Sequence, residues 1–75
     1  MSISEAMMAD TILQHMKKSG KEFEAALLER AEIDSGSVAW VGDKANKRLV
    51  VKVTKMSQDG SVVSENEYAL TVSRI

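Results

Sequence analysis

The spacing of apolar residues changes once along this chain, from near 3.6 to 2, and the change falls at Asp34-Ser35-Gly36, a turn signal. A chain so divided folds as helix first and sheet second.

Before that point, Ile3, Met8, Ile12 and Met16 fall on one helical stripe with Ala9 and Leu13 beside them, while Asp10, Gln14, Lys17 and Lys18 face away. Ser2-Ile3-Ser4-Glu5 has the spacing of a capping box and predicts the helix start. Lys17 and Lys18 suit the negative end of a helix dipole, and Gly20 is a natural stop. Ser19-Gly20-Lys21-Glu22 repeats the box ahead of Phe23, Ala26, Leu27 and Ala31, predicting a second helix to about Ile33. One continuous helix is the alternative. Ala9, Leu13, Met16, Gly20, Phe23, Leu27 and Arg30 alternate by four and three, and a helical glycine costs only about 1 kcal/mol relative to alanine.

After the turn, Ser37 to Val41, Arg48 to Met56 and Tyr68 to Arg74 read as strands, with Gly42 to Lys47 as a loop. Asp59-Gly60 is a type I′ hairpin signal. A two-residue turn there opposes Val51 to Tyr68, Leu49 to Leu70 and Lys47 to Val72, gathering apolar side chains on one face. The other face then sets Lys52 opposite Glu67 and Val50 opposite Ala69. Polar Ser64-Glu65-Asn66-Glu67 marks a bulge or a break. Extended backward, the pattern sets Trp40 opposite Leu49 and Val38 opposite Val51.

The expected fold is therefore α+β: one domain over 1–75, helical over 1–34, with one or two helices packed on a three-stranded antiparallel β-meander over 37–75. Its expected core is Ile12, Leu13, Met16, Phe23, Leu27, Val38, Trp40, Leu49, Val51, Val53, Tyr68, Leu70 and Val72. The alternative is a winged helix-turn-helix over Glu24 to Val41, similar to small phage-type repressors and excisionases. Its second helix would begin near Ser35, and Ser35, Ser37, Lys44, Lys47 and Arg48 would reach nucleic acid. Against it stand Glu32 where that turn usually has glycine, Gly36 within the recognition helix, and the acidic Asp34 and Asp43.

Chemistry is constrained by what is missing. With no cysteine and only His15 as imidazole, neither a Ser-His-Asp or Cys-His site nor a tetrahedral zinc site can be assembled in one chain. The carboxylate pairs Glu29/Glu32 and Glu65/Glu67 read as solvated faces, and the glycines of Gly42 to Lys47 are too few for a phosphate loop. The expectation is a non-enzymatic protein without cofactor or metal.

At 75 residues the chain buries only about 60% of its unfolded surface, and with disulfides and metals closed to it, oligomerisation or a partner is the remaining route to extra stability. Net charge is −1, divided as −3 over 1–35 and +2 over 36–75, which suits self-association or a mixed-charge protein surface better than nucleic acid. Met1, Met7, Met8 and Met16 supply flexible side chains of the kind found at adaptable interfaces, although core filling is their commoner use.

The leading reading is a protein-binding module, a regulator, adaptor or inhibitor of the kind phages and mobile elements encode, with a free strand edge suited to homodimerisation. Met7, Met8, Lys44, Lys47, Arg48 and Arg74 are the candidate partner-binding residues. No basic region precedes an apolar run at the N-terminus and no stretch approaches membrane-spanning length, so the expected location is cytoplasmic, away from the membrane.

Overall fold

A computed structural model describes residues 2–75. Met1, named above among the interface methionines, lies outside the described residues. The order is α1 (Glu5–Ser19), α2 (Lys21–Arg30), β1 (Gly36–Asp43), β2 (Arg48–Met56) and β3 (Val62–Thr71), with the strands in one antiparallel sheet ordered β1-β2-β3. This is the expected α+β arrangement of a helix pair on a meander. The helix-turn-helix alternative fails, because the residues of its recognition helix form strand β1.

Ser4, not Ser2, caps α1: its side-chain oxygen accepts the Met7 N–H at 3.0 Å. The break between helices falls at Gly20 as expected, but Ser19 supplies no cap. A Cβ on Gly20 would collide with the Met16 carbonyl oxygen, which explains why a residue without one stands at the junction.

Helix α2 stops at Arg30, short of Ile33. Glu32 turns left-handed (φ 55), its N–H donating to Glu29 O and the Ile33 N–H to Leu28 O. That is a Schellman close with glutamate in the place that glycine usually takes, so the sequence carried no stop signal there.

Strands β2 and β3 pair in the expected register, Leu49 opposite Leu70, Val51 opposite Tyr68 and Val50 opposite Ala69. The route to it differs. Gly60 N–H donates to Ser57 O and Ser57 N–H to Ser61 O, and Gly60 alone in the turn has positive φ (89). This is a three-residue loop over Gln58 to Gly60, and a bulge at Val63, between the pairs Lys55/Ser64 and Met56/Val62, absorbs the odd residue. Polar Ser64 to Glu67 does not break β3, which begins six residues before the expected Tyr68 and ends at Thr71.

Between β1 and β2 the register lies two residues from expectation: Trp40 pairs with Val51 and Val38 with Val53. The shift keeps every side chain on its expected face. Its cause is the length of the β1–β2 turn, where Asp43 pairs with Arg48 and Lys47 takes a left-handed φ of 53.

Helix α1 packs on β1 and β2, and α2 on β1. Gly42 permits the close approach of α1, since a Cβ there would lie 2.7 Å from Leu13 Cδ2. Phe23 of α2 meets Trp40 of β1 edge to face with ring centroids 5.3 Å apart. The buried apolar residues are Ala9, Leu13, Leu49 and Val51. The helices pack chiefly on β1 and β2, and three residues assigned above to the core are instead exposed: Phe23 at the rim, and Tyr68 and Leu70 on β3. Among the described residues no helix is long and apolar enough to cross a membrane.

Candidate functional site

Strand β3 is exposed over its whole length, Val62 to Thr71, whereas its neighbour β2 is buried at Leu49 and Val51. Pairing and side-chain alternation place Tyr68 and Leu70 on the same face of the sheet as those two residues, the face that carries the helices. Tyr68 is 56% exposed and Leu70 49%. Two large apolar side chains are thus held in fixed positions on a strand and face water.

The opposite face of β3 carries Glu65, Glu67, Ala69 and Thr71. Lys52 is the cation opposite the glutamates, and its Nζ meets Glu65 Oε1 at 2.7 Å, not the directly opposite Glu67. Glu65 stands opposite Thr54, two residues along, so the long lysine side chain reaches diagonally. The glutamate raises the Lys52 pKa above the ordinary 10.5 by accepting that bond.

Around the β1–β2 turn the sequence expectation gathers in part. Met7, Lys44, Lys47 and Arg48 line one groove of about 300 Å³ between α1 and the turn, with Leu13 and Leu49 among its apolar walls. Arg48 is engaged: its Nε donates to Asp43 Oδ2 at 2.8 Å, and Asn46 Nδ2 donates to the same oxygen at 2.9 Å. These bonds, that from Asn46 first, hold the Asp43 carboxyl below its ordinary range. Lys44 and Lys47 remain as exposed cations at the rim. Met8, 42% exposed on α1, does not line the groove, and Arg74 follows β3, exposed. His15 is exposed on α1.

Sequence reasoning missed Tyr68 and Leu70 as exposed residues by assigning them to the core. Their alternation is that of a half-buried strand; how many strands two short helices can cover is not written in that alternation. The length of α2, ten residues and thus about 15 Å, is the signal that bears on it.

Among the described residues, no group of three or more His, Cys, Asp or Glu side chains is placed to hold a metal ion. Comparison with known proteins finds no matching family model, curated protein or solved structure.

Proposed function

We propose that this chain is a non-enzymatic protein-binding module that acts as a regulator, adaptor or inhibitor by laying its third strand against another polypeptide. The observation that carries this reading is the uncovered β3, with Tyr68 and Leu70 continuing the apolar face of Leu49 and Val51 beyond the helices. A strand edge supplies backbone affinity and alternate side chains supply selectivity. Tyrosine is among the residues enriched at protein interfaces. The exposed methionines Met7 and Met8 on α1 extend the deformable apolar surface on the helical side.

The test is capture from the source cell with the tagged native chain and with a Tyr68→Ser/Leu70→Ser variant, both after nuclease treatment. A protein retained by the native chain and lost by the variant is the expected result. Partners lost to nuclease, or held equally by both chains, overturn the reading.

A further inference from the structure

We infer that the partner of strand β3 is a second copy of this chain, joined to the first as an antiparallel neighbour across a two-fold axis at Ala69. The inference rests on the protein-binding reading above in taking β3 as the interface, and it names the occupant.

The direction of the free backbone groups follows from two hydrogen bonds. Val72 N–H donates to Lys47 O at 3.5 Å, and Met56 N–H to Ser35 O at 2.9 Å. Antiparallel pairs alternate between bonded and unbonded, so Leu70 and Tyr68 turn their backbone groups toward β2. Glu67, Ala69 and Thr71 therefore turn their N–H and C=O groups outward, away from the sheet. These outward residues are the hydrogen-bonding set for an added strand.

Charge excludes two of the ways in which β3 can meet itself, and of the axes it leaves between Tyr68 and Thr71 only that at Ala69 sets Tyr68 against Leu70 with both partners inside the strand Val62–Thr71. An axis at Glu67 sets that glutamate against its own copy, and one at Asn66 sets Glu65 against Glu67. Both arrangements oppose like charges directly. An axis at Ala69 opposes nothing of like charge: Ala69 faces Ala69, and each Glu67 faces Thr71 of the second copy. Tyr68 faces Leu70 of the second copy twice, in the unbonded positions where side chains approach most closely. All of these residues lie within the ordered strand Val62–Thr71. Helices of both copies fall on one side of the resulting six-stranded sheet, and the uncovered apolar residues meet in the trough between them.

The dimensions agree with this occupant. The single chain exposes 5933 Å², whereas a monomer of its 8.2 kDa mass exposes roughly 4,500 Å². The excess exceeds the roughly 800 Å² that each partner gives to a standard interface. The radius of gyration, 14.2 Å against about 11 Å for a compact domain of this length, and the 50 Å long axis express the same surplus as shape. A net charge of −1 opposes self-association only weakly.

The test uses sedimentation equilibrium of the native chain at micromolar concentration, together with two single-cysteine variants in this cysteine-free chain. Ala69→Cys places two thiols across a bonded pair about 5.5 Å apart at Cα, inside the range a disulfide spans. Glu65→Cys places them about 26 Å apart along the strand direction. The expected results are a mass twice 8.2 kDa and ready oxidation of Ala69→Cys to a covalent dimer, with Glu65→Cys left as monomer. A native chain of monomer mass, or equal cross-linking of the two variants, overturns the inference. Monomer mass with capture of a foreign protein that depends on Tyr68 and Leu70 would remove the second copy as occupant and leave the binding reading standing. A dimer linked through Ala69 that captures no foreign protein does the reverse.

Discussion

Leu49 and Leu70 stand directly opposite each other on β2 and β3, yet Leu49 is 2% exposed and Leu70 49%. The helices pack chiefly on β1 and β2, and their cover thins toward β3. Leu49→Ala therefore removes contacts on every side and is expected to cost about 3 kcal/mol, within the range for buried leucines. Leu70→Ala is expected to cost less than about 1 kcal/mol in dilute solution, since much of its surface is already in water. Urea unfolding followed by Trp40 fluorescence at submicromolar concentration checks both; equal losses would mean that β3 is covered.

The contact of Phe23 with Trp40 ties α2 to the sheet, with the rings inclined at 61°. Because Phe23 is itself 39% exposed, Phe23→Ala forfeits the edge-to-face contact and part of a side chain's burial, together about 2 kcal/mol. A denaturant midpoint that drops with an unchanged slope, and a red-shifted Trp40 emission, are the expected results. An unchanged midpoint would show that α2 docks by other contacts.

Glu32 holds a left-handed backbone at the close of α2. Glycine adopts that geometry without steric cost, so Glu32→Gly is expected to stabilise the fold by about 0.5–1 kcal/mol, a gain limited by the greater freedom of glycine in the unfolded chain. Thermal unfolding checks the sign, and a lower midpoint refutes the account of this terminus.

Asp59 accepts hydrogen bonds from the Ser57 and Ser61 hydroxyls and from the Ser61 N–H, which lower its pKa from 3.8 to about 2. A carboxylate depressed on folding contributes stability that is fully present above 3.8 and is lost as pH falls toward 2. Carboxyl NMR titration is expected to give a midpoint near 2 for Asp59, and Asp59→Asn is expected to flatten the fall in stability between those limits. A titration midpoint at the ordinary 3.8 refutes the assignment.

The period change at Asp34-Ser35-Gly36, the glycine break at Gly20 and the pairing of β2 with β3 were all legible in the residues, because each is a local choice enforced by a buried face. What was not legible depends on chain geometry over distance. The β1–β2 register turned on one left-handed lysine, Lys47, a residue type that gives no such signal. The α2 terminus turned likewise on Glu32. The basic cluster Lys44, Lys47 and Arg48 was visible as charge, but the engagement of Arg48 by Asp43 required the turn to be closed. The site at Tyr68 and Leu70 was visible as residues and hidden as a surface, since alternation tells which face a side chain takes and not whether anything lies above it.

Val63 gives the distal hairpin one residue of slack. The three-residue loop alone would throw Lys55 and everything inward of it onto the wrong partner, and the bulge takes up the difference. Deleting Val63 brings the pairs Lys55/Ser64 and Met56/Val62 into an unbroken ladder, while no side chain nearer the helices changes face. An added residue has no such store to draw on and must raise a second bulge. The tip can therefore shorten by one more readily than it can lengthen by one, and Leu49 and Val51 keep their places under the helices through the first change.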